Sequence, residues 1–230
     1  GVMHKVKLMA LKASDENGNL PEDAILSAIY YAIRKDARVI NASFTRRGEC
    51  SRFEYEALSA ANAAGIMVLA AAGNDGLDND SIRQFPSGYS VETKGCGAVL
   101  PALPNVISVA AIDQTGEIAF SNVGRTSVQI AAPGVNINST NPGTPSATND
   151  YQFLTGTSMA TPHVTGVVGL LLSINPNLTV AQIRNAILNT GEASPLLNGV
   201  VSSGRRLNAF NALNSIAPTF TVMVAKNGTG

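Results

Sequence analysis

The chain has no Trp, two Cys and two His among 230 residues, and aromatic side chains make up only 5% of it. Each scarcity excludes something. So few aromatics leave no stacking platform of the kind that single-stranded nucleic acids use. Sixteen Lys and Arg against sixteen Asp and Glu give a formal net charge of zero, with no basic stripe for nucleic acid and no acidic tail. No uninterrupted apolar run approaches the roughly 18 residues of a membrane span. The closest, "VTGVVGLLLSI" at 164–174, runs into "NPNLT". No G-x-G-x-x-G or G-x-x-x-x-G-K-[ST] follows a strand-like run, which argues against a nucleotide-binding domain. Neither Cys50 nor Cys96 has C-x-x-C spacing, so a dithiol or metal motif is not expected. Both lie in Gly-rich segments, where a disulfide and two free thiols stay equally open. The opening residues show no signal-peptide pattern. The opening "GVMHKVKLMALKA" has no initiator Met and enters a strand-like run at once, so the expectation is a fragment or a processed product.

What is present is an alternation. A β-like run at 6–13 is followed by "PEDAILSAIYYAIRKD" (21–36), with helical apolar spacing, Pro at its start and acids in its first turn. Then come a strand at 37–44, a helix at 52–65 closed by Gly65, and a wholly apolar strand at 66–74. Strands follow at 106–112 and 128–134, and a helix starts near Ser158. The helix at 179–191 opens with the Thr179-x-x-Gln182 capping box and closes on Gly191. Strands alternating with helices predict crossover units, hence an α/β fold with a mainly parallel sheet covered on its faces. With 45% hydrophobic residues the chain can bury one sizeable core. The predicted domain is 1–214, leaving 215–230 as a tail, linker or edge strand.

In open sheets of this kind, sites form at the carboxyl ends of the strands. Three stretches fall there: Ser43–Thr45, Gly73–Asp75 and the turn before Ser158. In "LTGTSMATPHVTG" (154–166) Ser158 stands in the first turn of a helix, among outward-pointing, unpaired N–H groups. Such a serine can attack a carbonyl while those groups stabilise the oxyanion; equally, it can be a helix cap. Asn74 ends "VLAAAGN" and can aim its amide into the cleft as an oxyanion donor, or merely make a turn.

Taken together, "GTSMATPHV", "VLAAAGN", "AAPGVNI" and "GRRLNAFNAL" closely resemble the subtilisin family of serine endopeptidases over roughly residues 1–214. The nine-residue serine motif is highly specific. The resemblance implies a three-layer α/β/α sandwich with the N-terminal part of that domain absent. It implies Ser158 as nucleophile and Asn74 as oxyanion side chain, with the Ser158 backbone N–H as second donor and Thr157 beside it. Ser43, Phe44 and Thr45 would form one wall of the substrate channel, pairing with the peptide as an added strand. Ala71, Ala72 and Gly73 would face them. One departure stands out: where the family commonly reads "SLGG" or "SFGG", this chain has Thr45 and Arg46 followed by Arg47. These either narrow the pocket and favour acidic substrate residues, or form a solvated loop.

The mechanism needs a general base and an acid to orient it. The family carries them in H-G-T-H and D-[ST]-G motifs, and neither occurs here. His163, at i+5 on the same helix, projects away from Ser158 and is expected to pack structurally. His4 is expected at the surface. The expectation is therefore a subtilisin-type endopeptidase whose catalytic Asp and His lie on an upstream segment, the isolated chain being inactive. The alternative is a catalytically incompetent, peptide-binding module. A secreted or extracytoplasmic location, a protein or peptide substrate and a propeptide partner go with this reading, and neither nucleic acid nor membrane does. No cofactor is required, although "NDGLDND" (74–80) has the oxygen density for a structural calcium or for a solvated acidic turn. The N-x-[ST] triplets at Asn41 and Asn138 bear on glycosylation only in a eukaryotic secretory host.

Overall fold

The strand β3 (Met67–Ala71) is buried at every position, as a parallel strand with helices on both sides must be. The computed structural model describes residues 1–141 and 151–217. Within them β3 lies between β1 (Val39–Ala42) and β5 (Val106–Ile112), both parallel to it. Beyond β5 come β6 (Ile130–Pro133), then β10 (Arg205–Arg206), also parallel, and the antiparallel β9 (Glu192–Ala193). The order is β1-β3-β5-β6-β10-β9.

Alternate residues of β3 feed different cores. Met67 and Leu69 pack with α3 (Thr157–Ile174), α4 (Val180–Leu188) and α5 (Ala209–Ile216). Val68 and Ala70 pack with α1 (Glu22–Arg34) and α2 (Arg52–Ala63). The result is the three-layer α/β/α sandwich with a mainly parallel sheet. By length and composition α3 could cross a membrane. Here it is a core helix, with Val164, Val167, Val168 and Leu171 buried in the first cluster.

Local signals explain the helix ends. Ser51 caps α2 by accepting from the Glu54 N–H, and Gly65 (φ 73°) follows the Ala64 C-cap. Thr179 and Gln182 form the expected capping box. Gly191 behaves otherwise than expected. The helix ends at the Asn189 C-cap, and Gly191 makes room for β10, because a Cβ there would meet the Arg206 carbonyl oxygen at 2.8 Å. α5 runs to Ile216, past the expected domain limit, and 218–230 lies outside the described residues.

The expected strand at 6–13 is not formed. Val2 and Met3 lie against Gly166 and Gly169 of α3, and Ala13 joins the α1–α2 cluster on the other face. Between these anchors the run pairs with no strand among the described residues, and Leu8 is 90% exposed. Its β-like composition has no ladder to satisfy it. Four further strand pieces have no clear sequence signal. β2 (Arg46–Arg47) pairs with β4 (Gln84–Phe85), and β7 (Ile137–Thr140) forms a hairpin with β8 (Tyr151–Leu154).

Candidate active site

Ser158 is half-buried in the first turn of α3, where its backbone N–H has no intrahelical partner. Gly156 caps the helix, and its own N–H donates to the Gly134 carbonyl at 2.8 Å. Gly134 allows this approach because a Cβ there would meet Ala111 Cβ at 2.5 Å and the Gly156 oxygen at 2.8 Å. The end of β6 thus sets where α3 begins.

Across the cleft, Asn74 follows β3. Its Oδ1 accepts from the Thr157 N–H at 2.8 Å and from Thr157 Oγ1 at 3.0 Å. Thr157 Oγ1 also accepts from the Gly73 N–H at 3.2 Å. With Oδ1 held from one side, Asn74 Nδ2 donates to no protein acceptor among the described residues, and Asn74 is exposed to the cleft. The Ser158 N–H and the Asn74 amide are therefore two donors at the mouth of one helix.

A pair of buried asparagines supports this turn, and sequence reasoning missed them. Asn122 Oδ1 accepts from the N–H groups of Asp75 (2.8 Å) and Leu77 (3.0 Å), and its Nδ2 donates to Asn79 Oδ1 at 3.0 Å. Asn79 Nδ2 donates in turn to the Ala72 carbonyl at 2.8 Å. Gly73 has φ 112°, and a Cβ there would fall 2.4 Å from Asn122 Nδ2, so both conformation and space require glycine. No sequence pattern marks Asn122, because its partners come from a loop some forty residues earlier.

The Ser158 hydroxyl donates to the Ser43 carbonyl at 3.0 Å, and the Ser43 hydroxyl donates back to the Ser158 carbonyl at 2.9 Å. Among the described residues, no His, Asp or Glu side chain is hydrogen-bonded to Ser158 Oγ. His163 Nδ1 donates to the Met159 carbonyl at 2.9 Å, one turn back, and is directed along α3. His4 is exposed.

The expected channel residues are brought near Ser158 in different ways. Ser43 touches it directly, and Ser43–Thr45 lies outside any strand. The Phe44 side chain packs toward the α1–α2 cluster. Ala71 and Ala72 are buried, the Ala72 methyl in a cluster with Ala110, Ile112 and Val128, which leaves backbone rather than side chain toward the cleft.

Arg46 and Arg47 are engaged by the protein's own carboxylates. Arg46 pairs with Glu54 at 3.0 Å and lies over the Phe85 ring, and Arg47 pairs with Asp75 at 3.2 Å, next to Asn74. Burial pushes the Glu54 carboxyl above its usual range, against the opposing pull of Arg46 and Tyr89. Burial and the neighbouring Glu54 charge likewise raise the Tyr89 hydroxyl. Opposite Arg47 on β4, Gln84 is buried and its Nε2 has no protein partner among the described residues.

The acids of 74–80 go to separate partners. Asp78 accepts from the Asp80 N–H. Asp80 Oδ1 accepts from Thr126 Oγ1 (2.7 Å), Ser127 N (2.9 Å) and Ser127 Oγ (2.6 Å). Among the described residues, no three His, Cys, Asp or Glu side chains converge to hold a metal. Cys50 and Cys96 form a disulfide, with Cα atoms 5.5 Å apart, tying the loop after Arg47 to the 93–100 loop.

The subtilase family model matches residues 1–212. The thermostable alkaline protease of Halalkalibacterium halodurans is 38% identical over 209 residues, covering 89% of this chain and 52% of that protein. Subtilisin DY of Bacillus licheniformis is 36% identical over 192 residues, 83% of this chain and 62% of that one. The chain thus spans about half the length of such relatives. Among solved structures, the prenylagaramide maturation protease PagA superposes with TM-score 0.71 at 26% identity, covering 88% of this chain and 70% of that one. A lanthipeptide protease superposes at 0.73, with 20% identity and coverage of 90% and 69%, and so shares the fold. Sequence, fold and the serine-bearing helix agree, and the chain belongs to the subtilase family.

Proposed function

We propose that this chain is the serine-bearing part of a secreted serine endopeptidase, with Ser158 as its nucleophile. The observation that carries the reading is the convergence of the Ser158 hydroxyl, its free N–H and the Thr157-held Asn74 amide at one strand-end cleft. Ser158 Oγ attacks the carbonyl carbon of a peptide, and its proton passes to a base. The oxyanion that forms accepts from the Ser158 N–H and Asn74 Nδ2. Collapse breaks the C–N bond, the protonated base gives its proton to the leaving amine, and water then hydrolyses the acyl-enzyme ester. The substrate backbone pairs with Ser43–Thr45, whose main chain is not committed to another strand, and faces the backbone of Ala71–Gly73.

The base and its orienting acid belong to an upstream segment of the same precursor. The Ser158 proton rests on a carbonyl, which cannot accept it in a reaction. The edge of β1, which pairs on one side only among the described residues, supplies a place for further strands. The shorter span relative to the full relatives supports the same assignment. The Cys50–Cys96 disulfide favours an extracytoplasmic location, where a propeptide is a natural partner.

The alternative, an incompetent peptide-binding module, is favoured by the lack of a titratable partner on Ser158 among the described residues. Sequencing the gene upstream separates the two. Finding D-[ST]-G and H-G-T-H there supports the peptidase, and their absence removes it. On the protein, peptide hydrolysis abolished by Ser158→Ala supports the same reading.

A further inference from the structure

Pro162 stands in the second turn of α3 and has no N–H, so the Ser158 carbonyl four residues earlier receives no helical hydrogen bond. That orphan acceptor belongs to the backbone of the reacting residue. The structure fills it from outside the helix, with the Ser43 hydroxyl at 2.9 Å. A serine hydroxyl has one proton and turns freely, so something must dictate where it donates. Asn41 Nδ2 donates into Ser43 Oγ at 2.8 Å, occupying a lone pair and leaving the proton for Ser158. Asn41 is oriented in its turn: its Oδ1 accepts from Thr165 Oγ1 at 2.8 Å. Thr165 lies two residues beyond His163 on the same helix, and its alternative acceptor, the Thr161 carbonyl, is farther at 3.2 Å. The bonds form a closed circuit: α3 at Thr165, the β1 edge at Asn41, Ser43, and α3 again at Ser158.

We propose that Asn41 and Thr165 are positioning residues that fix the rotamer and placement of Ser158 through Ser43. The inference rests on Ser158 being the nucleophile. Every donor in the circuit points the same way, Thr165 to Asn41 to Ser43 to the Ser158 carbonyl, and the last link closes with Ser158 Oγ on the Ser43 carbonyl. Such a chain polarises cooperatively and holds one arrangement. If Thr165 cannot donate, the Asn41 amide loses its orientation, the Ser43 hydroxyl is free to turn, and the first turn of α3 loses the tether that replaces its missing bond.

The test is steady-state hydrolysis of a chromogenic peptide by the full-length protein carrying Thr165→Val, Thr165→Ser, Asn41→Ala or the Thr165→Val/Asn41→Ala pair. Thr165→Val should lower kcat about tenfold with KM within about twofold, short of the ~10²-fold that a 1 Å misplacement can cost. Thr165→Ser should restore kcat, and the double variant should lose no more than the worse single one, as members of one circuit do. Thermal melting of each variant accompanies the kinetics. An unchanged kcat in Thr165→Val, a Thr165→Ser as impaired as Thr165→Val, additive losses, or a kcat loss that only tracks lowered Tm would each overturn the proposal. Ser158→Ala separates the two levels: activity surviving it sinks the nucleophile itself, whereas an inactive Ser158→Ala beside an unaffected Thr165→Val sinks only the circuit.

Discussion

Asn74 and Thr157 are joined twice, through the Thr157 N–H and the Thr157 hydroxyl, both on the same Asn74 oxygen. One side chain thereby locks the turn after β3 to the first turn of α3 and leaves the Asn74 NH₂ facing the cleft. In the full-length protein, Asn74→Ala should lower kcat about 10²–10³-fold with little change in KM. That magnitude is taken from the oxyanion-hole asparagine of subtilisin. Thr157→Val keeps the N–H bond but loses the hydroxyl bonds to Asn74 and to the Gly73 N–H. It should cost about tenfold in kcat, since one of two bonds holding the donor survives. Kinetics with one peptide substrate check both, and a Thr157→Val effect exceeding that of Asn74→Ala would contradict the assigned roles.

Gly73 is predicted to tolerate no side chain. Gly73→Ala must place a methyl on Asn122 Nδ2 in a left-handed conformation, at a cost of about 2 kcal/mol or more. Denaturant unfolding measures it. Asn122→Ala should also destabilise, because it strips the Asp75 and Leu77 N–H groups of their acceptor and Asn79 of its donor. A wild-type midpoint in Asn122→Ala would deny the asparagine pair its supporting role.

The legibility of the chain in its sequence followed the range of the forces involved. β3 was readable because full burial demands an unbroken apolar run, and α2 and α4 because Gly65 and the Thr179–Gln182 box are local signals. The nearness of Asn74 to the first turn of the Ser158-bearing helix was legible from motif and strand-end placement together. The 6–13 run was misread because β composition states a preference, while a strand requires a neighbour. Asn41, Asn79, Asn122 and Thr165 carry no local mark, since each takes its meaning from a partner brought near by the fold. Arg46 and Arg47 are exposed, as the solvated reading expected, but they sit in the short strand β2 rather than a loop and pair with Glu54 and Asp75.

Asp80 gives a pH dependence of known sign. Burial disfavours its charge, but the hydrogen bonds from Ser127 and Thr126 outweigh that and hold its carboxyl below the ordinary 3.8. A carboxylate with a depressed folded pKa contributes stability that is present above 3.8 and lost as pH falls through the folded value. Asp80→Asn should therefore melt below wild type at pH 7, with the gap closing once pH drops below 3.8. A gap that widens on acidification would reverse the assignment.

The disulfide closes a loop with a sequence separation of 46 residues. Cys50→Ser with Cys96→Ser should cost about 2–4 kcal/mol on the loop-entropy account, measured by unfolding in denaturant without reductant. Because the bridge anchors the segment that directly follows Arg46 and Arg47, beside the cleft, KM should rise with it. An unchanged midpoint would mean that the bridge does not constrain the chain.

The most direct measurement is covalent labelling by a fluorophosphonate, located by peptide mass spectrometry, on the full-length protein and on the 230-residue chain alone. The expected result is modification at Ser158 in the full-length protein, lost in Ser158→Ala, and at most trace modification of the chain by itself. Label on another residue, or rapid labelling of Ser158 in the chain alone, would contradict a nucleophile whose base is supplied from upstream.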